Sequence, residues 1–371
     1  MTDPAPQKTF LQRHGPALLV SLCLGGGLAW VLARGGFPVF PGWAAFSEVR
    51  PWAVVLYVAS LGVVHFFRAA RWRFLLRPLG DVPPKRVVTI SWIAFAAILL
   101  SPFRTGEVVR PYLLAAKSRI RLWEAAGTVG AERVVDGLVL SLLLLMGLLA
   151  GTPISPLPDH VGDLPVPAAA VRPAAYLALA GFSCAFVAMG LFYAQRARAQ
   201  RWTNAVVGLV SPRMAEKLSG IAIRLADGLG FLPTRRLVVP FLAETMVYWA
   251  ANALGLWLLA RGCGLSSVSL ADATVVMGCI GIGILVPSGP GYFGAFQLAA
   301  FMALATTVPE AQIRGPGAAF VFIVYAAQTG FHLAAAAVAL AMDPIVKTDS
   351  FSSETALIQV DSTRSDPRTT P

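Results

Sequence analysis

Long apolar runs recur from one end of the chain to the other, and they constrain its fold more than any other feature. A helix needs roughly 20 apolar residues to cross about 30 Å of hydrocarbon, and several runs reach that length. Only 13% of the residues are charged, against about 25% in a typical soluble domain. The runs cover residues 16–33, 52–67, 87–100, 134–150, 174–194, 237–260, 270–286, 292–308 and 317–342. We therefore predict an all-α polytopic membrane protein.

Basic residues cluster in the segments between the apolar runs. The chain has 30 Lys and Arg against 19 Asp and Glu. Their distribution follows the positive-inside pattern of cytoplasmic loops and does not indicate nucleic-acid binding. The basic segments, predicted to be cytoplasmic, are 68–86, 104–121 and 194–236, whereas 35–51, 151–173 and 308–316 carry one basic residue each and are predicted to be external.

Two apolar segments cannot cross the bilayer only once if these sides are correct. Residues 87–103 lie between two cytoplasmic segments, so we expect them to enter and return as a re-entrant helical hairpin. Residues 270–308, interrupted at 287–291, form the equivalent hairpin from the external side. Residues 17–150 and 174–342 then contain the same elements in opposite orientation, an inverted repeat with about six spanning helices in total. The alternative is eight or nine plain helices with proline kinks.

Four segments are predicted to lie outside the hydrocarbon. They are a cytoplasmic N-terminus (1–16), an external loop (151–173), a cytoplasmic amphipathic segment within the second repeat (202–236) and a disordered cytoplasmic tail (343–371). The amphipathic segment has apolar residues at helical spacing with basic residues among them, a pattern typical of helices that lie on an anionic membrane surface.

The interruptions in the two hairpins share a pattern of helix-starting residues. In SPFRTGEVVR, Ser101 is expected to cap a helix that begins at Pro102. In PSGPGYFG, Ser288 or Gly289 is expected to take the same role. The unpaired N–H groups at a helix N-terminus favour anions, so each interruption predicts an anion site within the membrane.

Arginine side chains beside the first interruption point to phosphate as the anion, because a guanidinium group can bind two phosphate oxygens at once. The predicted substrate-binding residues are Ser101, Arg104, Glu107, Arg110, Ser288, Gly289, Gly291 and Gly294. Alternatively, Arg104 and Arg110 extend to the membrane interface and Glu107 pairs with one of them.

The fourth apolar helix contains three charged residues at membrane depth. Glu132 and Asp136 lie at i and i+4 on one face, with Arg133 between them. Each such charge costs on the order of 2.5 to 3.5 kcal/mol within a membrane, so these side chains require partners, water or substrate. We predict a substrate-pathway or proton-coupling role, with Arg104 or Arg110 as partners; the alternative is an internal salt-bridge cluster.

Four motifs in order resemble the family of the transmembrane region of lysylphosphatidylglycerol synthases, the flippase-like domain family. They are RAARWRFLLRPLG (68–80), SPFRTGEVVRPYLL (101–114), AERVVDGLVL (131–140) and PSGPGYFGAFQLA (287–299). The resemblance implies a multi-pass inner-membrane protein that moves lipids or lipid-linked molecules between leaflets, and the charge distribution predicts that both termini are cytoplasmic.

Two departures from the family pattern bear on function. Gln297, a candidate pathway residue, stands where the family usually has Glu, which argues against a proton-carrying role there. The chain ends 29 residues after Met342, without the aminoacyl-transferring domain of the full-length synthases, so we expect it not to be an enzyme.

The predicted function is therefore a flippase-like transporter of a phosphate-containing lipid. No GxxxxGK[ST] motif occurs, so direct ATP use is not expected. No cofactor is predicted, and the spacing of His, Cys and carboxylates does not resemble a metal site. Two alternatives remain: an intramembrane enzyme acting on lipid head groups or prenyl phosphates, and an accessory subunit that binds partner proteins of a lipid or envelope biosynthetic complex.

Overall fold

The chain is almost entirely helical in the computed structural model, which describes residues 10–151, 153–158, 160–161, 164–165, 168–196, 198, 201, 212–286 and 288–343. The α-helices are α1 (Phe10–Arg34), α2 (Pro51–Ala70), α3 (Trp72–Leu76), α4 (Pro84–Leu100), α5 (Val109–Lys117), α6 (Leu122–Ala150), α7 (Val171–Ala194), α8 (Pro212–Asp227), α9 (Arg235–Gly262), α10 (Leu270–Gly283), α11 (Ala295–Ala305), α12 (Glu310–Gln312) and α13 (Ala318–Met342). Short 3₁₀ helices cover Trp43–Phe46, Pro102–Val108, Ala168–Ala170 and Pro290–Tyr292, a π-helix covers Ile313–Gly317, and strands β1 (His160–Val161) and β2 (Leu164–Pro165) pair antiparallel.

Several helices have the length and apolar composition of membrane spans. In the described chain these are Pro51–Leu76, Leu122–Ala150, Ala168–Ala194, Arg235–Gly262 and Glu310–Met342. Shorter apolar helices cover Leu19–Arg34, Leu270–Gly283 and Pro290–Ala305. The predicted all-α polytopic class is confirmed. These five long spans, together with α1 (Phe10–Arg34), are consistent with the predicted number of about six.

The first interrupted segment is a helical hairpin, but its turn lies later in the sequence than predicted. Helix α4 is continuous to Leu100, and the chain then returns through Pro102–Val108 into α5. Gly106 packs against α4 so closely that an added methyl carbon would lie 2.4 Å from the carbonyl carbon of Ala97. The returning limb therefore occupies much of the segment 104–121 that was predicted to be a cytoplasmic loop.

Two basic residues counted in the predicted cytoplasmic segments are paired with acids inside the protein. Arg110 in the returning limb and Arg71 beyond α2 are both fully buried, although both were counted among the basic residues of cytoplasmic segments. Each lies against a carboxylate of α6, so its charge is offset inside the protein. A count of Lys and Arg by segment cannot distinguish such a residue from one in a solvated loop.

The second interrupted segment is a hairpin of α10 and α11. The two helices pack so closely that a methyl carbon at Gly283 would lie 2.4 Å from Cβ of Ala299. The chain between the two helices is interrupted where the sequence predicts. That both hairpins are re-entrant in the bilayer remains a prediction.

The amphipathic segment contains α8, which packs against the first half of α6. A methyl carbon at Gly127 would lie 2.3 Å from the carbonyl oxygen of Leu225. Residues 202–211 of the predicted segment, residues 1–9 of the N-terminus and residues 344–371 of the tail lie outside the described residues.

Two apolar cores lie on either side of a polar layer. Along α6, Val135 belongs to one core and Leu140 to the other, and Asp136 lies between them. On α9, Phe241 belongs to the same core as Val135, and Ala253 belongs to the same core as Leu140. The polar side chains of the candidate site occupy this layer.

Candidate functional site

A buried ion network centred on Glu132 occupies the polar layer. Glu132 has no exposed surface and accepts hydrogen bonds from Arg110 Nη1 at 2.9 Å (Oε1) and 2.8 Å (Oε2). Arg71 Nη2 donates a further bond to Glu132 Oε1 at 3.2 Å. The structure thus contains the predicted pairing of Glu132 with Arg110, and Arg71 adds a second cation.

Asp136 extends the network by one turn of α6. Its Oδ2 accepts a 2.7 Å bond from Arg71 Nη2, and its Oδ1 accepts a 2.6 Å bond from the hydroxyl of Tyr248. Arg71 Nη1 in turn donates to Thr245 Oγ1 at 2.6 Å. Because Thr245 and Tyr248 belong to α9, the network joins the two halves of the chain.

Arg110 lies inside the network and not on a cavity wall. Its guanidinium carbon lies 4.0 Å from the centre of the Trp72 ring and 5.4 Å from that of Phe95. The side chain is 1% exposed. Arg110 was predicted to contact substrate, but its contacts are those of a structural ion pair with Glu132.

A cavity of about 320 Å³ opens beside this network. Its wall combines residues from α2, the first hairpin and α6 with residues from α7, α9, α10 and α13, so both halves of the chain contribute. The polar and charged residues that line it are Arg68, Arg104, Glu107, Arg133, Asp136, Tyr248, Asn252 and Gln328. Four predicted site residues, Arg104, Glu107, Arg133 and Asp136, are therefore brought together; we call this space the arginine cavity.

Three arginines face the cavity with different pairings. Arg104 donates to Glu107 Oε1 from Nη2 at 2.7 Å and from Nε at 3.1 Å. Arg133 Nε lies 4.0 Å from Glu107 Oε2, and neither its Nε nor its Nη2 makes a hydrogen bond to the described residues. Arg68 stacks on the Phe95 ring at 4.4 Å and has no carboxylate partner in the described chain.

Positive charge exceeds negative charge around the cavity. The network and the cavity wall together contain five arginines (Arg68, Arg71, Arg104, Arg110, Arg133) and three carboxylates (Glu107, Glu132, Asp136), which leaves an excess of two positive charges. At membrane depth such an excess is costly unless an anion or water offsets it. The arrangement is therefore suited to an anionic ligand.

The interruption between α10 and α11 packs against α1 and caps α11. The hydroxyl of Ser21 donates to the carbonyl oxygen of Ser288 at 2.9 Å, and Gly289 approaches the backbone of Gly25. Gly294 is the N-cap of α11, and its N–H donates to Gln297 Oε1 at 2.8 Å. Gly289, one of the two predicted caps, is the N-cap of the 3₁₀ helix Pro290–Tyr292, whereas Gly294 caps α11. Gln297 is buried as a helix-capping residue and does not line the cavity.

The first interruption also differs from the predicted helix start. Ser101 is the N-cap of the 3₁₀ helix Pro102–Val108, but its side chain makes no capping hydrogen bond. The α-helix N-terminus expected at this point is thus replaced by a 3₁₀ helix, since the first α-helix after the turn begins at Val109.

The two interruptions meet through Arg104, which lines the cavity, and Tyr292. Both have left-handed backbone conformations, with φ of 59°. The Arg104 guanidinium lies 5.6 Å from the centre of the Tyr292 ring, and Arg104 Nη1 donates to the carbonyl oxygen of Ile284 at 3.4 Å. Left-handed non-glycine residues are uncommon and strained, and they concentrate at functional sites.

Sequence reasoning missed Arg68, Arg71 and Tyr248 as site residues. The signal for the arginines was periodicity, because Val64, Arg68 and Arg71 fall at i, i+4 and i+7 on one helical face. For Tyr248 no signal existed, since a neutral tyrosine in an apolar run is ordinary. Among the described residues, no group of three His, Cys, Asp or Glu could hold a metal ion.

The fold and this site define a polytopic helical membrane protein with an arginine-lined internal cavity between its two halves. The chain belongs to the family described as the lysylphosphatidylglycerol synthase TM region, whose model matches residues 17–337. This confirms the family suggested by the four motifs.

One curated relative is similar over most of the chain. It is glycosyltransferase AglD of Haloferax volcanii, 28% identical over 280 residues, which amount to 70% of this chain and 44% of that protein. The chain thus matches less than half the length of this relative. No solved structure matches the chain significantly.

This relative corrects one expectation drawn from the sequence. From the sequence, the chain was expected not to be an enzyme. A relative whose name is that of a glycosyltransferase contradicts that expectation. The absence of one known catalytic domain is no evidence about other chemistry.

Proposed function

We propose that this chain binds the phosphate group of a membrane lipid, or of a lipid-linked molecule, in the arginine cavity and carries it between leaflets without ATP, as part of lipid or glycan metabolism. One observation carries the proposal: Arg68, Arg104 and Arg133 come from three different elements and line a single cavity.

Phosphate matches the chemistry of this cavity. Arg133 has two buried nitrogens without hydrogen-bond partners in the described chain, and a phosphate oxygen can accept from both. A bound monoanion or dianion also offsets the excess positive charge. Neutral lipids without phosphate gain nothing from these groups.

The architecture supports movement across the bilayer. Substrate sites in transporters with inverted repeats lie at the interface of the two repeats near the midplane. Here the cavity draws its wall from residues 17–150 and from residues 174–342, the two proposed repeats. We place the protein in the inner membrane with both termini in the cytoplasm, as the charge distribution favours.

The buried acids divide into two roles in this proposal. Asp136 lines the cavity and is the candidate for ion coupling. Glu132, enclosed between Arg110 and Arg71, holds α6 against the first hairpin and the end of α2. Gln297 acts on the structure of α11 and not on the transported lipid.

A second candidate is an enzyme that uses a phosphate-bearing lipid as substrate in the same cavity. The similarity to a relative named as a glycosyltransferase favours it. Both candidates require the arginines to hold phosphate, so they differ only in whether the lipid leaves chemically changed.

Reconstitution into liposomes tests the proposal. Phosphatidylglycerol labelled on an acyl chain is followed for movement between leaflets without ATP, and the recovered lipids are analysed by mass spectrometry. Faster movement of unchanged lipid than in protein-free liposomes supports transport; altered head groups support the enzyme. Arg133→Gln should lower the rate, whereas Arg77→Gln, a matched change at an exposed arginine, should not.

A further inference from the structure

A second, smaller cavity of about 100 Å³ adjoins the arginine cavity. Arg68, Arg104, Gln328, Ile280 and Ile284 line both spaces, so the two cavities are neighbours across these side chains. The other residues that line the small cavity include Phe95, Tyr292, Tyr325, Thr329 and His332. Apart from the two shared arginines, its walls thus combine aromatic rings with uncharged hydrogen-bonding groups.

We infer that the small cavity is the subsite for an uncharged, hydroxyl-bearing head group attached to the phosphate, and that it excludes head groups carrying an ammonium group. The inference rests on the proposed function and specifies its substrate class.

A lipid whose phosphate is bound by the shared arginines would extend into both cavities. A phosphate held by Arg68 and Arg104 has one substituent on each side. On the side of the arginine cavity the wall includes the apolar residues Phe182, Leu256 and Met277, which suit the glyceryl and acyl part of the lipid. The head group then lies in the small cavity.

The polar groups of the small cavity suit hydroxyls. Gln328, Thr329 and Tyr325 bring amide and hydroxyl groups that both donate and accept. Gln328 Nε2 donates to the Tyr57 hydroxyl at 3.0 Å, and Tyr325 hydrogen-bonds to Thr329, so a ligand hydroxyl would use the remaining donor and acceptor sites of these groups. His332 Nδ1 lies 2.7 Å from the carbonyl oxygen of Gln328 and must donate to it, because a carbonyl only accepts. When the His332 ring is uncharged, this tautomer leaves Nε2 as an acceptor, which a head-group hydroxyl can use.

A cationic head group finds no counter-charge here. No described residue that lines the small cavity is a carboxylate. The carboxylates of the adjoining arginine cavity are engaged, Glu107 by Arg104 and Asp136 by Arg71. An ammonium group would instead lie beside Arg68 and Arg104, and such like-charge contact selects against a ligand.

Native mass spectrometry of the full chain in detergent tests the inference by binding alone. The probes are dioctanoyl phosphatidylglycerol, with a neutral diol head group, and dioctanoyl lysylphosphatidylglycerol, whose head group is cationic. We expect phosphatidylglycerol to bind at least tenfold more tightly. Equal binding, or preference for the lysyl lipid, overturns the inference.

Adding a carboxylate to the small cavity tests the mechanism of exclusion. Gln328→Glu should shift the binding ratio toward the lysyl lipid by roughly tenfold, the size expected when one charged hydrogen bond is gained. Ser266→Glu adds the same charge at an exposed loop position outside both cavities and should leave the ratio unchanged. A folded Gln328→Glu variant with the wild-type ratio contradicts the subsite, and so does an equal shift in both variants.

These results separate the subsite from the proposed function. Selective binding without faster lipid movement in liposomes supports the subsite and refutes transport. Movement of both lipids at equal rates, with equal binding, supports transport and refutes the subsite.

Discussion

Replacing Glu132 by Gln tests whether the buried network is structural. The change keeps the shape of the side chain but removes the charge that accepts two bonds from Arg110 and one from Arg71. Both arginines are fully buried, and among the described residues Asp136 is then the only carboxylate left in direct contact with either. Removing one partner of a buried ion pair costs about 3 to 5 kcal/mol because the other charge stays buried. We expect Glu132→Gln to lower the unfolding free energy by about that amount.

The assay is reversible unfolding of the purified protein in mixed detergent micelles, followed by tryptophan fluorescence. A double variant, Arg110→Met with Glu132→Gln, should recover a large part of the loss, since the orphaned cation is then removed as well. Arg77→Gln, which breaks an exposed pair with Asp81, is the control and should cost at most about 1 kcal/mol. A Glu132→Gln protein as stable as wild type, yet inactive in lipid movement, would refute this reasoning and restore a direct substrate role for Glu132.

Three further changes test other parts of the account. Arg133→Gln should reduce the rate of lipid movement at least tenfold. It should change the unfolding free energy by less than about 2 kcal/mol, because Arg133 has no close ion-pair contact in the described chain. Equal loss of folded protein and of activity would contradict a ligand-binding role. Gly106→Ala should lower the unfolding free energy by about 1 to 3 kcal/mol, since the added carbon would overlap the Ala97 backbone. An unfolding free energy equal to that of the wild type would disprove the close packing. Topology can be tested with single cysteines in a background without the four native cysteines. A cysteine at position 117 should react with an impermeant reagent from the cytoplasmic side, and a cysteine at position 310 should react from the external side. The opposite pattern would invert the proposed orientation.

The hairpins could be predicted because their breaks carry glycine and proline within apolar runs. The sequence PSGPGYFG places the second break correctly, since glycine supplies the positive φ at Gly291 and Gly294 that the turn requires. The sequence predicted the turn of the first hairpin within residues 87–103, earlier than its position at Pro102–Val108, because no comparable glycine-rich stretch marks this turn. Gly106 alone allows the close return, and its role depends on contact with Ala97, which sequence does not reveal.

The acids of the site could be predicted, but not all of their partners. A carboxylate at membrane depth is costly, so Glu132 and Asp136 stand out in any apolar run. Arg71 follows the end of α2, where a basic residue normally marks a cytoplasmic loop, so its burial depends on tertiary packing. Tyr248 bonds to Asp136 across a separation of 112 residues, a distance in sequence that local patterns do not span.

The most direct test of the central claim is an experimental structure of the protein in lipid nanodiscs that contain phosphatidylglycerol. The account predicts phosphate density in the arginine cavity, within hydrogen-bonding distance of Arg133 and of Arg68 or Arg104. A well-resolved structure whose lipids lie only on the outer surface, with these arginines bonded to protein groups alone, would contradict it.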